Sequence, residues 1–152
     1  MKFTSDSVEE TIRLGEKLGS RLTGGEFIAL SGDLGGGKTH FAKGLAIGLG
    51  IKQEITSPTF VLERIYESSN GLFFHHFDFY RLASFDQEIQ SEIIDLLGDS
   101  KNIVAIEWAT NVPSSIPGEY LQVNFEYMED ERREITFNTK GLGYDQLIEG
   151  LK

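Results

Sequence analysis

The sequence predicts an α/β fold in which a mixed, partly parallel central sheet is flanked by helices. Three observations carry this. An apolar run, Phe27-Ile28-Ala29-Leu30-Ser31, feeds the glycine-rich stretch Gly32-Asp33-Leu34-Gly35-Gly36-Gly37-Lys38-Thr39, and an amphipathic helix follows. A second uninterrupted apolar run, Ile103-Val104-Ala105-Ile106, has the pattern of a parallel strand buried on both faces. Alternating segments joined by polar turns, at 61–77 and 120–138, read as antiparallel hairpins.

In order along the chain, Ser7 to Leu22 repeats apolar or small residues (Val8, Ile12, Gly15, Leu18, Leu22) at helical spacing, with Ser7 as cap and Glu10 three residues on. Thr11 lies on the same inward face. Thr23-Gly24-Gly25 ends that helix, and Glu26 to Ser31 forms the strand before the glycine loop. Phe41, Leu45 and Leu49 make the stripe of the next helix, which ends near Gly48-Leu49-Gly50. A polar segment follows, Gln53 to Phe60, in which Thr56, Ser57 and Thr59 gather three hydroxyls. Val61 to Tyr66 and Leu72 to Phe77 are strands joined by the turn Glu67 to Gly71. Ser84 caps a helix to Leu97, with Phe85, Ile89, Ile93 and Leu96 inward. Tyr120 to Tyr127 and Glu134 to Asn138 are strands around an acidic turn, and a short helix spans Tyr144 to Leu151.

Composition bounds the function. The 152 residues suit a single domain, 1–152, and 39% hydrophobic residues suffice for a core. With no cysteine there is no disulfide, thiolate zinc site or cysteine nucleophile. The amino terminus lacks a signal-peptide core and no run is long enough to span a membrane, so a soluble cytoplasmic protein is expected. A net charge of −10 disfavours direct gripping of DNA or RNA.

Gly32 to Thr39 matches G-x-x-x-x-G-K-[ST], which makes the predicted fold class a P-loop NTPase. Glycines let the backbone curl and approach a ligand closely, so successive N–H groups form a nest for phosphate oxygens at a helix start. Lys38 supplies a mobile positive charge, and the Thr39 hydroxyl is placed for Mg²⁺. The loop needs an acidic partner at the end of a neighbouring buried strand. Glu107, after the second apolar run, is assigned to the metal. Asp78 follows Phe73-Phe74-His75-His76-Phe77, where the histidines suit a half-exposed antiparallel strand; it is assigned to the attacking water, its alternative being an Asx-turn or cap. His75 and His76 point to opposite faces and cannot share a metal. His40 reads as exposed or phosphate-facing, and Trp108 as core or substrate-facing.

Gly32 to Thr39, Ser57-Pro58-Thr59-Phe60, His76-Phe77-Asp78-Phe79-Tyr80-Arg81-Leu82 and Ile106-Glu107-Trp108 occur in the order and spacing of one known family. Together with Thr11…Leu14-Gly15…Leu18, they make the chain resemble the bacterial TsaE (YjeE) ATPases over nearly its whole length. That resemblance implies ATP/ADP and Mg²⁺ as cofactors, with Thr39 and Glu107 on the metal and Lys38 on the phosphates. It implies loop contacts from Asp33, Gly35, Gly36, Gly37 and His40. It further implies a hydrolytic role for Asp78, a nucleotide-sensitive segment at Ser57 to Phe60, and Thr11 with Arg133 beside the base or ribose. The implied task is weak ATP hydrolysis that resets a TsaB–TsaD heterodimer during threonylcarbamoyl modification of an adenosine beside the tRNA anticodon, with tRNA met only through the complex. This sequence departs from the family at Gly36, where Ala is usual, at His40, where Thr is usual, and within Ser84 to Asp99. The alternative function is a small-molecule P-loop phosphotransferase, against which the lack of an Arg-rich lid speaks. A further alternative is a nucleotide-binding module without hydrolysis.

Overall fold

A computed structural model of the chain describes residues 1–33, 35–82 and 86–152. Within these residues seven strands form one sheet: β1 (Lys2–Ser5), β2 (Phe27–Gly32), β3 (Glu63–Glu67), β4 (Phe73–Asp78), β5 (Asn102–Glu107), β6 (Tyr120–Tyr127) and β7 (Arg133–Lys140). Their order is β1-β7-β6-β2-β5-β4-β3. The centre, β6-β2-β5-β4, is parallel, whereas β7, β1 and β3 join antiparallel at the flanks. Among the described residues four α-helices flank the sheet: α1 (Val8–Gly19), α2 (Lys38–Gly48), α3 (Gln87–Leu97) and α4 (Leu142–Glu149).

Alternation along β2 divides the core in two. Ile28 and Leu30 face one cluster, where Leu18, Phe41, Leu45 and Tyr144 cover the sheet. Phe27 and Ala29 face the other, beneath Ile89 and Ile93 of α3. Side chains start α1 and α3: Ser7 accepts from the Glu10 N–H, and Asp86 from that of Ile89. Asp86 is thus the cap of α3; the Ser84 cap and the Phe85 contact expected there lie outside the described residues.

The two helices that pack most closely, α1 and α2, meet backbone to backbone. A Cβ on Gly44 would come within 2.1 Å of the Ile12 carbonyl oxygen, and one on Gly15 within 2.4 Å of that of Phe41. Alanine is the better helix former by about 1 kcal/mol, yet here it drives the helices apart. Gly44→Ala is therefore expected to destabilise the fold by ~2–3 kcal/mol, measured by urea unfolding. Stability equal to or above that of the parent chain would show that the interface yields.

Two expectations change. Strand β4 is not half-exposed: it pairs antiparallel with β3 but parallel with β5, and both its histidines are buried. Hydrogen bonds make this tolerable, since His75 reaches Glu63 at 3.1 Å and Asn102 at 3.0 Å. Strand β1 escaped the sequence reading because Lys2-Phe3-Thr4-Ser5 is short and polar; edge pairing with β7 and the Phe3–Phe137 contact at 5.5 Å hold it. No helix among the described residues is long and apolar enough to cross a membrane.

Candidate functional site: a glycine-rich loop beside two carboxyl groups

Three parallel strands end side by side, and their last residues build the site. Strand β2 runs out at Gly32, β5 at Glu107 and β4 at Asp78, with Glu107 in register opposite both Leu30 and Asp78. Open α/β sheets bind ligands at this carboxyl edge. Gly35, Gly36, Gly37, Lys38, Thr39, His40, Thr59, Asp78, Glu107 and Trp108 line one cavity of about 210 Å³ there. That is below the roughly 300–1,000 Å³ of pockets that enclose a drug-sized ligand, so it suits the phosphate end of a longer molecule.

The loop turns through left-handed backbone at Gly35 (φ 75°) and Gly37 (φ 112°), which glycine adopts without penalty. Gly37 opens α2, whose first ladder bond runs from the Phe41 N–H to the Gly37 carbonyl at 2.9 Å. Unlike α1 and α3, α2 has no side-chain cap and no acid in its first turn. Its leading amides and positive dipole end therefore remain available to an anion.

Lys38 is buried, 4% exposed, and its ammonium donates to the carbonyls of Gly32 at 2.6 Å and Asp33 at 2.8 Å. It also sits 4.6 Å over the Trp108 ring. Burial pushes its pKa below the ordinary lysine value, against the opposing pull of Glu107, Asp78 and Asp33. A cation so desolvated, with weak neutral partners, is poised to take an anionic one. Trp108 reaches this place through a left-handed backbone (φ 61°), a conformation a bulky residue adopts only when its surroundings hold it there.

The Thr39 hydroxyl stands 3.2 and 3.3 Å from the two carboxyl oxygens of Glu107. A hydroxyl and a carboxyl facing each other beside a phosphate nest fit a hard cation that keeps several waters, such as Mg²⁺. Among the described residues no group of three or more His, Cys, Asp or Glu converges as a cluster of metal ligands. His76, 0% exposed, holds Glu107 from behind with Nε2 at 2.8 Å. That residue was not anticipated: the sequence shows that His75 and His76 diverge, but not what lies under each.

Asp78 is buried too. One oxygen accepts from the Thr59 hydroxyl at 2.7 Å and the other from the Tyr80 N–H at 2.9 Å. The second bond is the Asx-turn weighed above, and the first ties Asp78 to the polar segment before β3. Ser57 touches the site only through Thr59, at 2.7 Å.

The remaining candidates separate. His40 is half-buried on the cavity wall; burial first, then Lys43 and Arg133, push its imidazole below the ordinary value. The side chain of Asp33 is exposed, and only its backbone faces the loop. Arg133 lies beside Gly37: a Cβ there would meet the Arg133 Cδ at 3.4 Å. Thr11 is not brought to the cavity. It is 1% exposed, and its hydroxyl is taken up by Ser5 at 2.8 Å.

Comparison with known proteins places the chain in a family. The profile described as threonylcarbamoyl adenosine biosynthesis protein TsaE matches residues 5–135. The tRNA threonylcarbamoyladenosine biosynthesis protein TsaE of Treponema pallidum is 38% identical over 136 residues, spanning 90% of this chain and 98% of its own. The protein of the same description from Bacillus subtilis is 34% identical over 152 residues, spanning 99% of this chain and 93% of its own. The crystal structure of Bacillus subtilis YdiB superposes with a TM-score of 0.82 at 32% identity, covering 99% of this chain and 93% of that one. A fold, a glycine loop and a matching profile over most of the length thus converge, and the chain belongs to the TsaE family of tRNA threonylcarbamoyladenosine biosynthesis proteins.

Proposed function

We propose that this chain is a Mg²⁺-dependent ATP-binding protein with slow ATPase activity, which serves threonylcarbamoyl modification of tRNA by acting on a TsaB–TsaD-type heterodimer. The observation that supports it best is the Thr39 hydroxyl opposite the Glu107 carboxyl, at 3.2 Å, beside a buried lysine and an uncapped helix start. Thr39 and Glu107 would hold the metal, which on binding neutralises charge on the phosphate oxygens. Lys38 exchanges the Gly32 and Asp33 carbonyls for phosphate oxygens. The leading amides of α2 take up the rest of the anionic charge, and Gly35 to Gly37 admit it by having no side chains. Asp78 is the group beside the phosphate end that can accept a proton from an incoming water, with Thr59 fixing one of its oxygens. Arg133 then lies on the nucleoside side of the loop.

No arginine is among the described residues lining the cavity. An arginine finger is worth about 10³–10⁵ in rate where one is present, so the isolated chain turns over slowly and a partner accelerates it. The −10 net charge suits a role in which tRNA is held by the partners.

The test is calorimetry with ATP, with magnesium and then with EDTA. Glu107→Gln is expected to weaken MgATP binding by about tenfold or more while leaving binding in EDTA near the parent value. Equal losses in both conditions would remove Glu107 from the metal. ATPase assays with and without the purified heterodimer complete it: no stimulation and no co-purification would remove the partner reading.

A further inference from the structure

The glycine loop is held by a residue far outside its motif. Tyr127, the last residue of β6, donates its hydroxyl to the Gly35 carbonyl across 92 positions of sequence. The N–H of the same peptide unit, that of Gly36, donates to the Asp33 carbonyl at 2.9 Å. The Gly35–Gly36 peptide plane is therefore fixed at both ends, one of them by a side chain.

The ring that carries this hydroxyl is half exposed and is held from one side. Tyr127 faces Arg133 across the β6–β7 pairing, and the guanidinium lies 5.2 Å from the ring centroid. Arg133 in turn donates to the Glu131 carbonyl at 3.1 Å. The hairpin tip is closed by the Met128 N–H to Arg132 carbonyl bond at 2.8 Å, through left-handed backbone at Asp130 (φ 66°) and Glu131 (φ 64°). The fit is close, since a Cβ on Gly35 would come within 3.1 Å of the Tyr127 hydroxyl oxygen.

We propose that Tyr127 is a positioning residue for the phosphate-binding loop: its hydroxyl keeps the Gly35 carbonyl turned toward the β6–β7 hairpin and away from the anion. Glycines flank this peptide and lower the barrier to flipping it. Flipped, the carbonyl oxygen would set its partial negative charge against the phosphates. Tyr127 removes that competing state before any ligand arrives, and the ligand is spared the corresponding loss of affinity. The inference rests on the nucleotide reading given above for its consequence, though not for the clamp itself.

Tyr127→Phe tests it, because the ring and its contact with Arg133 persist while the hydroxyl is lost. In the ligand-free protein, exchange of the Gly36 amide followed by NMR is expected to speed up about threefold to tenfold, as befits one lost hydrogen bond. MgATP affinity by calorimetry is expected to weaken by about the same factor, with the melting temperature nearly unchanged. A merely structural tyrosine would lower the melting temperature and leave both other readouts alone. Unchanged Gly36 exchange overturns the clamp. Faster exchange with unchanged or tighter MgATP binding overturns its positioning role. Should the parent chain bind no MgATP at all, the nucleotide reading falls, and Gly36 exchange alone decides the clamp.

Discussion

Lys38→Ala is expected to lower MgATP affinity by roughly 100-fold or more, which by calorimetry at ordinary protein concentration is a flat trace. The ammonium has two backbone carbonyls, at 2.6 and 2.8 Å, and the Trp108 ring as its close partners, all neutral. Phosphate oxygens in place of those carbonyls set full negative charge against the ammonium, and a net gain of about 3 kcal/mol over the carbonyl pair is a hundredfold, since each 1.4 kcal/mol is a factor of ten. The same environment predicts what happens to the fold. Burial already disfavours the charged form of Lys38, so the ammonium is held here at a cost to folding rather than a gain. Its removal is expected to shift the melting temperature by no more than about 4 °C, in either direction. Binding within tenfold of the parent chain would show that the loop amides and metal suffice and that Lys38 is structural. Collapse of the fold would show instead that the lysine organises the loop through Gly32 and Asp33.

The parts of this site that were legible in the sequence are those whose chemistry is local. The loop is legible because a phosphate nest requires glycine, lysine and a hydroxyl at fixed offsets along one stretch. Glu107 is legible because a strand buried on both faces has an unbroken apolar run, and its first charged residue must stand at the strand end, where it is now 3% exposed. Tyr120 to Tyr127 alternates so regularly that its bounds match the strand observed. What the sequence hides depends on pairing across the sheet. Strand β4 looks polar because His75 and His76 are read one residue at a time, yet each is buried by a partner from another strand: Asn102 for His75 and Glu107 for His76. Tyr127 has no motif of its own, and only the β6–β7 hairpin carries its hydroxyl to Gly35. Thr11 shows the converse limit. Its place on the inner face of α1 was legible, but not that Ser5, from a strand too short to recognise, would claim its hydroxyl.

Asp78→Asn is expected to cut ATP turnover by about 10²–10³-fold while MgATP affinity stays within roughly threefold of the parent chain. The substitution separates the two jobs of this side chain. Its bond from the Tyr80 N–H, 2.9 Å, needs only an acceptor oxygen, which asparagine keeps, so the turn after β4 survives. Its second oxygen, held by Thr59 at 2.7 Å, becomes an amide nitrogen that can still satisfy the Thr59 oxygen as donor but cannot take a proton from water. The fold and the glycine loop are thus preserved, and proton acceptance alone is lost. Under the proposed function the comparison is made with the heterodimer present as well, where stimulation would raise the chemical step above background and expose the defect. If single-turnover hydrolysis is unchanged in Asp78→Asn, the carboxyl serves only to cap the turn. The water would then be oriented by another group, of which the Thr59 hydroxyl is nearest to Asp78, and Thr59→Ala would carry the loss instead.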